Sequence, residues 1–500
     1  NNFAMYLTTE LAILVIAVGL ILYKLLTRNF DYWKKRNVPY VKPIPFFGNF
    51  YEIITFRTSI GHFLAKLYNK FESPYFGIFI LHKPFLVIKS PEVIKAILVK
   101  DFNHFCNRTI LSDERCDSLM SKVLFIVDNP EWKIIRSKMT PVFTSGKMKG
   151  MVQLINDVSL EMNAYLEKHT SKSFIEAKEV CTKYSTDVIA TYAFGIHACS
   201  FQNENSEFRA VGRKVLEFEW ETALRQIIYF MAPELAKLFR IKFLKPGISE
   251  FFRDVFWKTI KLREETNNQR NDLIDILIQM KRQPGNNLDF TGDRVVAQAC
   301  MFFFAGFETT SATMAFTLYE LCLSKEIQNK ARLEVKEILA KHGGFTYEAL
   351  QNMNYLEMIM CETLRKYPVL PFLDRICVKD YKLPNSDLII EKGTPVYIPM
   401  FGIHHDSKIY LEPDKYDPER FSKENRKNLP SFSYIPFGEG PRNCIGERFG
   451  VLVGKLGLAR ILSEYELETS LDTPVPLKFE TKTFLLASKV GLPIKFKKIA

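Results

Sequence analysis

The residues most able to do chemistry are concentrated in one stretch, Phe437-Gly438-Glu439-Gly440-Pro441-Arg442-Asn443-Cys444-Ile445-Gly446. It reads as a glycine-rich turn that delivers a single cysteine to the start of a helix. Glycines allow close backbone approach to a flat ligand, and helix-start N–H groups stabilise a thiolate. Bound to haem iron, a thiolate donates electron density that promotes O–O cleavage. An isolated cysteine is more often a small buried hydrophobe, so its surroundings must carry the reading. Gly438-x-Gly440 also invites a nucleotide-loop interpretation, but Asn443 and the lack of a framing strand–helix crossover argue against it.

Three further constellations precede this loop. Trp132 and Arg136 stand four residues apart on one side of a predicted helix, a spacing suited to holding an anionic group. Ala305-Gly306-Phe307-Glu308-Thr309-Thr310 puts small residues and hydroxyls on an apolar helix, leaving room for a cofactor. Glu362 and Arg365 are three residues apart and can pair on one helical face. Each has a plain alternative in helix packing or a surface ion pair, and such pairs contribute little when exposed.

Together these motifs resemble the cytochrome P-450 superfamily. Its signature F-x-x-G-x-R-x-C-x-G is met in full from Phe437 to Gly446, and the other motifs follow the family's order. The resemblance implies haem b with Cys444 as the axial thiolate, and Arg442, Trp132, Arg136 and Arg375 at the haem propionates. It places Phe437 near the sulfur, with Ala305 and Gly446 against the cofactor. Glu362, Arg365 and Arg420, the last from Pro418-Glu419-Arg420-Phe421, would form a buried network under the cysteine loop. Thr309 and Glu308 would deliver protons to the dioxygen being reduced, its second atom leaving as water. Phe125, Phe302, Phe304, Leu370, Leu373 and Leu485 would line the substrate pocket. Asn129-Pro130-Glu131-Trp132-Lys133 and Phe143-Thr144-Ser145-Gly146-Lys147-Met148 look like the insect microsomal branch, whose members mostly oxidise plant toxins, insecticides and other lipophilic compounds.

The elements that must position these residues are mostly helical. Val295 to Phe316 is apolar nearly all round a helix and is expected to run through the middle of the protein. Helical periods also cover Ser324 to His342, Tyr355 to Tyr367 and Arg448 to Tyr465. Two hairpins are expected, Tyr75 to Ile80 with Phe85 to Ile88, and Leu388 to Ile390 with Pro395 to Ile398, giving one small, mostly antiparallel sheet. The expected class is mainly α with a small β region, the haem lying between the central helix and the cysteine loop. Residues Ala223 to Lys245 mix aromatics with basic residues, which suits either a surface dipping into lipid headgroups or ordinary packing.

The stretch Phe3 to Tyr23 is apolar enough to span a bilayer, and Lys24, Arg28, Lys34, Lys35 and Arg36 follow it. That order reads as an uncleaved anchor with the body cytosolic, and the resemblance to microsomal members implies the endoplasmic reticulum. Residues 1–26 are then the membrane anchor, 27–48 a basic, proline-rich hinge and 49–500 the catalytic domain. The nine cysteines are scattered with no C-x-x-C pair, which argues against a disulfide framework or zinc site. His104 has no haem signature around it and is expected to be a packed or surface histidine.

Of the 500 residues, 47% are hydrophobic and 25% charged, so a large core is available and disorder is excluded. No nicotinamide or flavin fingerprint is present, so electrons must come from another protein. The resemblance implies NADPH–cytochrome reductase, with cytochrome b5 as an accessory, alongside O2, membrane lipid and a lipophilic substrate. The net charge of +12 fits an acidic partner, and Lys133, Lys138, Lys147, Lys149 and Lys455 flank the haem motifs. No nucleic-acid recognition motif accompanies the charge. Two other readings share the haem motifs: an isomerase or dehydratase that rearranges peroxides without O2, and a non-catalytic haem protein that sequesters lipophilic compounds.

Overall fold

The computed structural model describes residues 2–203, 206–216, 218–266, 270, 272–282 and 290–499. It is mainly helical with small sheets. The central helix, Asp293–Leu323, is buried along most of its length, as an all-round apolar helix should be. Helix Ala177–Phe194 crosses it closely and is itself almost wholly buried. The close crossing depends on Gly306, where a Cβ would come within 2.7 Å of Ile189. Ser185 Oγ adds a hydrogen bond to the Phe307 carbonyl at 2.7 Å.

Helix Glu447–Glu464 follows the cysteine loop and also packs against the central helix; a Cβ on Gly457 would meet both Met314 and Tyr184. The Tyr184 hydroxyl donates to the Val453 carbonyl at 3.0 Å, so three helices interlock at one point. Helices Lys325–His342 and Asn354–Lys366 match the expected periods, the first capped by Ser324 accepting from the Ile327 N–H.

Strands β1 (Tyr75–Ile80) and β2 (Lys83–Ile88) form the expected antiparallel hairpin. The second expected hairpin does not form. β6 (Ile389–Ile390) instead pairs with β5 (Tyr381–Lys382), and β7 (Pro395–Ile398) lies between β2, parallel, and β4 (Leu373–Ile376), antiparallel. β7 is buried at every position and finds its partners far away in sequence, outcompeting the local turn at Glu391-Lys392-Gly393. A further sheet joins β3 (Ile175–Glu176), β9 (Pro493–Lys498) and β8 (Tyr465–Thr469), so among the described residues three small sheets replace the single one expected.

Helix Asn2–Thr27 leads the chain, and its stretch Thr9–Thr27 has a mean hydropathy of 2.1 with no part of it buried. After it, Trp33 is buried and donates its indole N–H to the Ile78 carbonyl at 3.2 Å, fixing the hinge to β1. Within Ala223 to Lys245 both readings apply to different residues. Tyr229 is buried and bonds the Ile241 carbonyl, while Leu238 and Phe239 are 71% and 68% exposed. Ile227 and Phe230 pack on the same apolar cluster as Val41, in the segment that follows the N-terminal helix.

Candidate active site

The cysteine loop is held by backbone bonds and by two glycines in left-handed conformation. The Cys444 N–H donates to the Phe437 carbonyl at 2.8 Å, and Gly438 and Gly440 have φ of +69° and +73°. At Gly440 a Cβ would also overlap the Leu98 carbonyl. Gly440→Ala is therefore expected to cost about 1–2 kcal/mol in backbone strain alone. The clash adds to this, and haem content per mole of purified protein should fall sharply.

The side chain of Cys444 is exposed, although six of the nine cysteines are buried. Burial of the sulfur's surroundings pushes its thiol up to about 11, against the pull of the Gly446 N–H and of Arg136. Ionisation in the neutral range thus needs a stronger positive partner than the chain itself supplies, which a metal cation provides.

Exposure on the central helix is equally selective. Ala305 and Thr309 are exposed, one turn apart, on a helix otherwise mostly buried. They sit where the cysteine helix crosses. A Cβ on Gly450 would touch Thr310 Oγ1 at 3.8 Å, and Gly446 approaches Phe143, which is stacked on Phe302. The Thr309 hydroxyl donates to the Ala305 carbonyl at 2.7 Å, leaving its oxygen free to accept.

A cluster of arginines lies at the edge of this site. Arg108, Arg375 and Arg442 are all buried, and the Nε of each lacks a partner. Only Arg108 is ion-paired, to Asp374 at 2.7 Å. Burial would raise the Asp374 carboxyl, but Arg108 and the Thr109 N–H hold it low. Arg375 and Arg442 are each lowered to about 9, first by burial and then by the nearby charge of Arg108. Arg442 also lies over the Trp132 ring, 4.5 Å from its centroid, and donates to the Val127 carbonyl. Buried guanidiniums short of carboxylates are costly unless anions complete them. Two propionates beside an exposed cysteine supply that need, so the residues present fit a haem. Arg108 was not anticipated from the sequence; an isolated arginine before a loop carries no signal there.

Arg136, expected at the propionates, is bonded instead to the carbonyl and side chain of Asn443, both at 2.8 Å. It therefore clamps the residue before the cysteine. Glu308, expected to work beside Thr309, lies about 100° round the helix and is ion-paired with Lys178 at 2.9 Å. Among the expected pocket residues, Phe125, Phe304, Leu370 and Leu485 are partly exposed. Phe302 is taken up by its stack on Phe143, and Leu373 packs in the second apolar cluster near Gly438. Aromatic and branched side chains at a helix crossing gain more from close packing than from lining a cavity. Lys455, expected on a docking face, is 2% exposed and ion-paired with Glu357. His104 packs against the Tyr381 ring.

Behind the loop, Glu362 and Arg365 are fully buried and doubly bonded, at 2.7 and 2.8 Å. Arg420 Nε approaches Glu362 at 3.5 Å. Arg365 also donates to the His404 carbonyl at 2.8 Å, and the His404 ring accepts from the Ile435 N–H at 3.1 Å. Burial holds the His404 ring at about 3, so it stays a neutral acceptor. Gly438 N–H then bonds the Ile435 carbonyl, which completes a chain of bonds from the ion pair to the cysteine loop. His404 was invisible in the sequence, because its partners are backbone groups distant in the chain.

A mostly helical fold with an accessible cysteine, a central helix with an accessible threonine that packs against the helix after that cysteine, and an arginine cluster wanting anions is the frame of a thiolate-haem oxygenase. Residues 38–494 match the cytochrome P450 family, and the chain belongs to it. It is 42% identical to cytochrome P450 6k1 of Blattella germanica over 490 residues, covering 94% of this chain and 93% of that protein. Cytochrome P450 6j1 of the same species is 40% identical, with 99% of each chain covered. Probable cytochrome P450 6a13 of Drosophila melanogaster is 39% identical, covering 97% of this chain and 98% of that protein. The protein is thus a P450 monooxygenase close to insect family 6 members, and its cofactor is a thiolate-ligated haem.

Proposed function

We propose that this chain is anchored in the endoplasmic reticulum membrane with its body in the cytosol. There it would insert one atom of O2 into lipophilic foreign compounds, such as plant toxins or insecticides. NADPH–cytochrome reductase would supply the electrons, with cytochrome b5 as an accessory. The observation that carries this reading is the accessible Ala305–Thr309 strip on an otherwise mostly buried helix, together with the accessible Cys444 on the loop whose following helix packs against that helix.

Cys444 would ligate the iron, and Arg375, Arg442 and Arg108 would hold the propionates. The haem, when bound, supplies reductive activation of O2. Thr309 Oγ1, anchored by its bond to the Ala305 carbonyl, holds a proton donor at a fixed position on the accessible strip. Glu308 supplies protons toward that strip when its pairing with Lys178 loosens. Phe304, Phe125, Leu370 and Leu485 give the substrate an apolar wall that excludes water. The exposed Leu238 and Phe239 would rest in the lipid headgroups and draw lipophilic compounds from the membrane.

Reconstitution with reductase, NADPH and a panel of lipophilic compounds tests the reading. Oxygenated product that depends on both reductase and O2 is expected. Peroxide rearrangement without reductase, or binding without turnover, would refute it. In the same assay Thr309→Ala should keep its haem but show about a hundredfold more NADPH oxidation per product, the lower end of the range for loss of one proton-transfer group. Unchanged coupling would remove Thr309 from the proton path.

A further inference from the structure

Two turns before the accessible Ala305 and three before Thr309, the central helix carries Gln298 on the same face, to within about 20° of rotation. At Gln298 that face is fully buried. The loop 117–127 lies against it, and the Gln298 amide meets the loop as a neighbouring strand would. Its Nε2 donates to the Lys122 carbonyl at 2.7 Å, and its Oε1 accepts the Leu124 N–H at 3.1 Å. The second Nε2 hydrogen goes to the Arg294 carbonyl at 3.0 Å, one turn back on the same helix, which fixes the plane of the amide. The loop's other tie to the central helix, from Ser118 Oγ to Asp293 at 2.7 Å, is exposed to water. The residues just after the buried tie are those the site uses. The Arg108 guanidinium lies over the Phe125 ring, 4.1 Å from its centroid, and Val127 offers its carbonyl to Arg442 at 2.8 Å. Only a primary amide can both give and accept at this place. A carboxylate has no hydrogen for the two carbonyls, and an apolar chain leaves the Lys122 carbonyl and Leu124 N–H without this partner.

From this geometry we propose that Gln298 is a positioning residue that determines specificity. By stapling the backbone at 122 and 124 it holds the Phe125 ring in place, and so sets which ligands fit beside the oxygen site. Gln298 acts through Phe125 and touches no substrate itself. The inference rests on the reading of Phe125 as a wall of the substrate pocket; the staple does not.

The test titrates imidazole and N-phenylimidazole, which bind the iron through nitrogen, into the full-length holoprotein and follows the Soret shift. Imidazole is too small to need the pocket wall, whereas N-phenylimidazole adds an apolar ring that does. Gln298→Met, of similar length but without the amide, should weaken N-phenylimidazole about tenfold, the scale of one lost aromatic contact. Imidazole should change by less than about twofold. Phe125→Ala should show the same split, and adding Gln298→Met to it should weaken N-phenylimidazole little further, because residues acting through one contact are not additive. Should Gln298→Met fail to retain haem, Gln298→Asn, an amide one methylene short, is read in the same way. Equal loss for both ligands would make Gln298 a residue of general stability and overturn the proposal. So would losses that add in full, or a split seen in Phe125→Ala and in neither Gln298 variant. No effect of Phe125→Ala on either ligand would overturn the pocket reading of Phe125, and the inference with it.

Discussion

Cys444→Ser should abolish the thiolate-type Soret band of the reduced, carbon monoxide-bound protein, and turnover with it, while Cys199→Ser leaves both intact. Cys199 and Cys444 are the two exposed cysteines; six others are buried and Cys361 is half-buried. Exposure alone therefore does not distinguish them. Their surroundings do. Cys199 has a φ of +52° and is near Asp187 and Glu161, whose charges add to burial in pushing its thiol up. Burial pushes the Cys444 thiol up too, but Arg136 and the Gly446 N–H pull the other way, so a metal cation would complete a thiolate there. A serine at 444 keeps the amide bond to Phe437, so the loop's shape should survive and the spectral loss should report ligation rather than collapse. Retention of the band in Cys444→Ser, or its loss in Cys199→Ser, would falsify the assignment.

Much of this site was legible in the sequence because its residues act locally. The glycines of 438–440, the i, i+3 pair Glu362–Arg365 and the apolar central helix each obey short-range rules that one chain displays. What was not legible depends on distant partners. β7 was assigned to a local hairpin, but its strand partners are about 300 residues upstream in β2 and beyond the preceding turn in β4. Arg136 was expected at the propionates because spacing gives a helix face but not which acceptor that face meets; Asn443 is 307 residues away. Lys455 illustrates the same limit for charge. Counted as surface, it is buried against Glu357 and the Leu350 carbonyl, so net charge says little about where a docking face lies. Glu308 and Thr309 are adjacent in sequence yet serve different faces, since one residue along a helix is about 100° of rotation.

The same distinction between local pair and distant partner sets the second large effect. Arg365→Ala should leave little or no haem-loaded protein, and Glu362→Ala should do nearly the same. Each removes one partner from a pair with no exposure on either side, and an orphaned buried charge costs about 3–5 kcal/mol. That is a large share of the stability of a typical domain. Arg365→Lys should not rescue, because an ammonium cannot reproduce the two parallel bonds to Glu362 together with those to the His404 and Pro413 carbonyls. The informative variant is the double replacement Glu362→Leu with Arg365→Leu. Removing both fully buried charges ends most of the penalty, leaving only Arg420, which keeps its bond to the Glu412 carbonyl, so the urea midpoint should recover well above either alanine variant. Haem content should not recover with it. Without Arg365 the His404 carbonyl has lost its donor, and the ring that receives the Ile435 N–H is no longer fixed, so Gly438 and the cysteine loop lose their support. Recovery of folding without recovery of haem would show that the pair serves to position the loop. Recovery of both would reduce it to an ordinary buried ion pair, and loss of both would mean that the fold itself depends on it.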